Sequence, residues 1–387
     1  MFSKNLVVKM NVKFNPLRLI EAREARGIKQ TALSSIIGYS TTSISKWENG
    51  HIEPDTQSLD AISSALGLPM EWFFQPSLTA SSVYHFRSQS AATKTAQEIA
   101  RIRLRWTAEF ANKLVEWVDL PEVNLIPSPS RENALNLTND EIEAYAQKLR
   151  EHLGLGVNPI PNLTQLLEAS GIIIVCEESG FTSMDGVSAW IDGRPYIWTA
   201  SDKASCVRSR FDIAHELGHI ILHKHLTAED CNSIKHKKIE DQAHLFAGCF
   251  LMPAIAASSL FRVITLDTLL AQKKKWGISV GAMISQCSNA NLINEEQTLR
   301  LRKNMSFRKW RTREPYDDSM TPEKPILFEK SIKLLLEHGG FKKTDIISRF
   351  GLPRVDIEKL AALPNGFLSD NTDQELVQLR RTNLKIV

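Results

Sequence analysis

The stretch FDIAHELGHIILH, residues 211–223, constrains this 387-residue chain more than any other. It contains His215-Glu216-Leu217-Gly218-His219, two histidines four apart with a glutamate directly after the first. On an α-helix, residues four apart lie on one face, one turn apart, so both imidazoles can reach a common point. Phe211, Ala214, Leu217, Ile221 and Leu222 fall on or near one apolar side, which predicts a helix packed against a core. Two imidazoles at this spacing suit a zinc ion, with Glu216 placed to serve as general base toward a water molecule.

A peptidase-type zinc site takes a third protein ligand and keeps one position open. His223 continues the four-residue series, but eight residues of helix put it about 12 Å from His215 along the axis. Its expected place is the helix end, against the negative pole of the dipole. Glu240, in the helical stretch KKIEDQAHLFAGCFLMP, is the preferred third ligand, with Asp241 and His244 as rivals. His244, one turn beyond Glu240, is alternatively a second-sphere group or one that binds the transition-state oxygen. Cys231 and Cys249 are expected to be buried thiols rather than ligands. The five cysteines are odd in number and form no CxxC pair, which fits a reduced, cytoplasmic compartment.

The N-terminal part carries a second pattern. Residues 15–75 read as short helices with short connections. Helix one ends near Arg26, before Gly27; Gln30–Ile37 is a short helix; Gly38 permits a turn; Ser40–Glu48 forms the next helix, stopped by Asn49-Gly50. Leu33, Ile36, Ile37, Ile44 and Trp47 are expected to form the core between the two helices. Ser40, Thr41, Thr42, Ser45 and Lys46 then point outward, where small hydroxyl side chains suit close approach to bases and phosphates, and Gln30 can donate to a phosphate. A protein–protein module with the same core is the alternative.

The remaining chain reads as mostly α with a small β-sheet. A Ser-rich linker is expected over 80–90 and one long helix over 91–119, ended by Leu120-Pro121. On that helix Arg101, Arg103 and Arg105 are expected to form a solvated face, with DNA backbone contact as the alternative. Thr138 and Glu141 form a capping box for a helix reaching about Leu153. GIIIVC (171–176) reads as a strand, and GVSAWID (186–192) with PYIWTA (195–200) as a hairpin turning at Asp192-Gly193. Ser201 or Asp202 is the expected cap of the helix that follows. The basic segment SFRKWRTRE (306–314) is expected to pack structurally, within a connector at 306–324, before a last small helical unit.

Composition excludes little: 43% apolar and 24% charged residues exclude disorder, and a net charge of +3 leaves nucleic-acid binding to local surfaces. No apolar run reaches membrane-span length, and the N-terminus lacks the pattern of a signal peptide. The expected organisation is residues 1–78, a helix-turn-helix domain; 79–130, linker and long helix; 131–315, a zincin-like metallopeptidase domain; and 316–387, a helical C-terminal unit.

Two resemblances sharpen this. DGVSAWIDGRPYIWTA, RFDIAHELGHIILH, IEDQAHLFAGCFLMP and KKWGISVGAMI resemble the ImmA/IrrE family of metallopeptidases over roughly 160–315. That resemblance implies zinc on His215, His219 and Glu240, Glu216 as catalytic acid/base, and a selective regulatory endopeptidase that cuts a repressor or antitoxin-like protein in a stress response. Family members often carry a second acidic residue where this chain has Gln242. The L-x-x-x-R-E, Q-x-x-L-S, I-S-x-W-E-N-G and P-x-x-x-x-L features resemble the Cro/C1-type (XRE) DNA-binding domains over 15–75. By that resemblance Thr41, Thr42 and Lys46 fall at base-reading positions, Gln30 and Ser43 at phosphate contacts, and a double-stranded operator and a homodimer are expected. Two other readings stand beside the peptidase: a repressor or antitoxin whose peptidase-like fold is a sensor or partner surface, and a sensor in which zinc occupancy controls DNA binding.

Overall fold

The structure, a computed structural model, describes residues 13–78, 83–86, 94–178, 185–201, 205–231 and 233–369. It is mostly helical with one small sheet. The chain opens with α1 (Pro16–Ala25), α2 (Gln30–Ile37), α3 (Thr41–Glu48), α4 (Thr56–Leu66) and a 3-10 segment, Met70–Phe74. Their starts are written locally: the side chains of Asn15, Ser40 and Asp55 accept from the backbone N–H groups of Leu17, Ser43 and Ser58. Gly38 ends α2 with φ 75°, a conformation that favours glycine. Leu19, Leu33, Ile44, Ile62 and Trp72 are buried between these helices, with Ile37 packed against them. Ile36, expected in this core, is instead 58% exposed. Leu33 and Ile37, four apart, fill the inward face of α2 and leave Ile36 on its outer side.

The long helix, expected over 91–119, is α5 (Lys94–Leu114). Residues 91–93 lie outside the described residues, and the chain leaves the helix in turns after Leu114. Three helices follow, α6 (Arg131–Ala134), α7 (Asn139–His152) and α8 (Leu163–Ala169). The expected box caps α7: Thr138 Oγ1 accepts from the Glu141 N–H while Glu141 accepts from the Thr138 N–H.

Among the described residues the sheet has four strands, β1 (His85–Phe86), β2 (Ile173–Glu177), β3 (Gly186–Ile191) and β4 (Arg194–Ala200), in the order β1-β3-β4-β2. β3 pairs antiparallel with both β1 and β4, and β2 pairs parallel with β4. Asp192 (φ 48°) and Gly193 (φ 82°) turn the β3–β4 hairpin, both left-handed, as a two-residue turn matched to strand twist requires. Alternation along β3 divides its side chains between two layers. Val187, Ala189 and Ile191 enter the core shared with α5, while Ser188 and Trp190 reach the helix on the opposite face.

That opposite helix is α9 (Cys206–Leu222), which carries the two-histidine motif and is buried over nearly its whole length. Its cap is Ser205, not Ser201 or Asp202. The helix begins four residues later than expected because Ser201 still bonds backbone-to-backbone with Glu177 at the end of β2; Asp202 lies outside the described residues. α10 (Ser233–Leu251) packs against α9, followed by α11 (Ala254–Leu260), α12 (Leu266–Trp276), α13 (Val280–Asn289) and α14 (Glu295–Phe307). The basic segment after α14 packs back on this layer. Glu314 accepts from Lys273 Nζ at 2.7 Å and from the N–H groups of Val280 and Gly281 at the start of α13.

The last helices are α15 (Leu327–Glu337), α16 (Lys343–Phe350) and α17 (Arg354–Leu360). They share one apolar core with α1–α5 and one face of the sheet; the other face, α7–α14 and their loops form a second core. Phe110 of α5 stacks on Phe350 of α16 with ring centroids 4.3 Å apart. Here Arg103 and Arg105 of α5 differ from expectation. Arg103 is buried rather than solvated and bonds Glu177 of β2 at 2.6 and 2.9 Å and Asp356 of α17 at 2.6 Å. Asp356 also accepts from Arg26, at the end of α1, at 2.7 and 3.1 Å. Arg105 pairs with Glu21, and Arg101 with Glu98. Arg103 and Arg105 thus point inward to partners from distant segments, whereas Arg101 is more exposed and pairs within its own helix.

Candidate functional site

Helices α9 and α10 come unusually close where they cross. A Cβ on Gly218 would stand 3.1 Å from the Cα of Ala243. Only a residue without a side chain lets the two backbones approach so, and this approach brings Glu240 beside the histidines of α9. The Nε2 atoms of His215 and His219 are 3.1 Å apart. Glu240 Oε2 lies 3.2 Å from the first, and its Oε1 lies 3.3 Å from the second. Donors in a tetrahedron around zinc at nitrogen-ligand distances stand about 3.3 Å apart, and each of these three contacts, one of them to each carboxylate oxygen, is of that size. Three groups whose facing atoms carry lone pairs repel at such distances unless a cation or proton lies among them. The donor set therefore fits a zinc ion.

Glu216 is fully buried, and the Ser188 hydroxyl donates to its Oε2 at 2.6 Å. A Cβ on Gly186 would stand 2.9 Å from Glu216 Oε1. Strand β3 thus holds this carboxylate with one hydroxyl and makes room for it with one missing side chain.

His223 ends α9 as expected, but it is buried and faces the motif rather than only the helix dipole. Its Nδ1 is 2.9 Å from His219 Nδ1, and its Nε2 is 3.0 Å from Gln242 Oε1. Gln242 Nε2 donates to the Ala134 carbonyl at 3.1 Å. His85 of β1 stacks on His219, with centroids 4.9 Å apart and planes within 7°. Burial, with the neighbouring imidazoles adding to it, holds His85 well below the ordinary histidine range and pushes His223 down to about 3, so both rings are neutral.

Among the rival ligands, Asp241 and His244 are exposed on α10. The His244 ring lies 4.8 Å from Phe211 and 6.4 Å from His215, on the rim of an open cleft of about 520 Å³ that Met305 and Trp310 also line. Burial pushes the thiols of Cys231 to about 11 and Cys249 to about 12, and neither belongs to a group of three donors that the described residues bring together.

On α3, Ser40, Thr41, Thr42 and Lys46 are exposed, while Ser43 and Ser45 are half-buried. The Ser43 hydroxyl is 2.9 Å from that of Ser40, and Ser45 Oγ accepts from Asn49. Gln30 turns inward: its amide donates to Glu48 at 2.7 Å, beside the Arg23–Glu48 pair.

Comparison with known proteins agrees with both halves. Residues 19–73 match the helix-turn-helix family, and residues 167–287 match the IrrE N-terminal-like domain, a peptidase family. The chain joins a helix-turn-helix domain to an IrrE N-terminal-like domain. It is also similar to repressor protein C2 of Salmonella phage P22, 32% identical over 81 residues, which cover 21% of this chain and 38% of that protein. The helix-turn-helix domain contains α2 and α3, and the IrrE-like domain contains α9, α10 and the hairpin. Four residues of the site escaped the sequence reading. Gly186 and Ser188 lie in an ordinary-looking strand, and only their alternation toward α9 signalled them. His85 comes from outside the IrrE-like domain and carries no local motif. Gln242 was noted only as a departure from an acidic position.

Proposed function

We propose that this chain is a DNA-bound zinc metallo-endopeptidase that cleaves a repressor or antitoxin-like protein. The observation that carries the reading is the approach, at 3.1–3.3 Å, of His215 Nε2 and His219 Nε2 on α9, the helix that also bears Glu216, to each other and to the two carboxylate oxygens of Glu240 on α10. A zinc ion held there supplies Lewis acidity, acidifying water and polarising a peptide carbonyl. The protein's own part is to hold protons and substrate. Glu216, oriented by Ser188, accepts the proton of the attacking water and returns it to the leaving amine. The cleft beside Phe211 and His244 receives the substrate, and His244 stands where it can donate to the developing oxyanion. Thr41, Thr42 and Lys46 read an operator from the exposed face of α3, with Ser40 and Ser43 at phosphates. Gln30 supports that face through Glu48. A homodimer on the operator completes the proposal.

The test is the Glu216→Gln chain. It should bind one zinc per chain and the same DNA, lose proteolysis, and retain an uncut protein partner in a pull-down. A second reading, a repressor whose IrrE-like domain is a partner-binding or sensing module, is supported by the similarity to repressor C2 and by the core that α1–α4 share with α5 and the sheet. It is favoured if every effect of the wild-type chain survives Glu216→Gln.

A further inference from the structure

We propose that Gln242 is a positioning residue that fixes the tautomer of His219 through His223, so that His219 presents a bare Nε2 to the metal. The inference rests on the metal reading above for its purpose, but its geometry stands on its own. An amide can place either end toward a neighbour, and Ala134 decides which. Its carbonyl accepts from Gln242 Nε2, so Gln242 Oε1 must face His223. An amide oxygen only accepts, and the proton between these groups therefore sits on His223 Nε2. A neutral imidazole carries one proton, which the Gln242 contact assigns to Nε2 of His223. Its Nδ1 is then a lone pair, and the 2.9 Å contact to His219 Nδ1 requires the proton on His219. With the proton on Nδ1, Nε2 is the atom of His219 left to face His215 and Glu240, at 3.1 and 3.3 Å.

Every member of this chain is buried: His219, His223 and Gln242 expose at most 4% of their surface. His85, lying parallel on the His219 ring, opposes a ring flip that would exchange its two nitrogens. Outer partners of this kind are what orient metal-ligating histidines and set their basicity. The departure at position 242 thus has a role suited to an amide: one end donates to a backbone carbonyl while the other accepts from an imidazole. A carboxylate would keep the second bond and lose the first.

The experiment uses the full chain. Nitrogen-15 NMR of histidine-labelled, metal-free wild type should find His219 as the Nδ1–H tautomer and His223 as the Nε2–H tautomer. Zinc affinity, measured by competition with a chelator, should fall about tenfold or more in Gln242→Met, with a changed cobalt(II) absorption spectrum, and should return to within about threefold of wild type in Gln242→Glu, which still accepts from His223. An Nε2–H tautomer at His219, or a folded Gln242→Met chain whose zinc affinity matches wild type within a factor of about two, overturns the proposal. The NMR result decides the relay whether or not zinc binds. A wild-type chain that holds no zinc overturns the metal reading instead.

Discussion

The hydroxyl of Ser188 on β3 donates to the Glu216 carboxylate on α9 across 2.6 Å, joining the hairpin to the two-histidine helix. The bond fixes the rotamer of a fully buried carboxylate whose direction decides what it can reach. Removing it by Ser188→Ala should lower kcat/KM about tenfold to a hundredfold, as loss of catalytic orientation does, while zinc content stays at one per chain. Activity of the variant equal to wild type would separate Glu216 from the strand.

Gly186 makes the complementary argument by absence. Its φ is not in the left-handed region, so alanine is permitted by the backbone, but the added Cβ would stand 2.9 Å from Glu216 Oε1. Gly186→Ala should therefore leave the melting temperature within a few degrees of wild type and cut kcat/KM about a hundredfold. Circular dichroism melts and steady-state kinetics on the same preparation check both halves.

Glu240 separates metal holding from protein folding. It is partly exposed, so Glu240→Ala should fold, as judged by circular dichroism, yet retain well under one zinc per chain by atomic absorption. Asp241→Ala, on the exposed side of the same turn, should keep full zinc. Equal zinc in the two variants would remove Glu240 from the ligand set.

Asp356 predicts a pH dependence. Burial alone would raise its carboxyl, but the charges of Arg103 and Arg26 outweigh that and hold it below the ordinary aspartate value. A depressed carboxylate contributes stability above its unfolded value near 3.8, and that contribution is lost as pH falls through the lower folded value. Asp356→Asn should cost about 3–5 kcal/mol near neutrality, because it leaves Arg103 short of a buried partner. Its denaturation midpoint should fall less steeply than that of wild type below about pH 4. Parallel acid profiles of the two proteins in urea would contradict this.

Lys46 tests the exposed face of α3. As a cation that meets phosphate or a base edge, its replacement by alanine should weaken binding to a duplex selected from a random pool. If it meets phosphate, the slope of log affinity against log salt should fall by about one. Thr42→Ala, losing a base-edge contact, should cost about 1–3 kcal/mol mainly on the selected duplex. Fluorescence anisotropy across a salt series distinguishes the two.

Local rules alone wrote much of this protein. The His215–His219 spacing, the Thr138–Glu141 box, the Asp192-Gly193 hairpin and the glycine stop at Gly38 are properties of single segments, and backbone geometry makes them readable from residue order. Tertiary structure decided what those segments meet. Sequence named Glu240, Asp241 and His244 as candidates, and the close crossing at Gly218 and Ala243 set Glu240 beside both rings. It also brought His85 onto His219 from 134 positions away, turned Ile36 outward, and drew Arg103 inside toward Glu177 and Asp356. Periodicity tells which residues share a face, but burial and partners belong to whichever element packs against that face, and the packing is set by contacts distant in sequence.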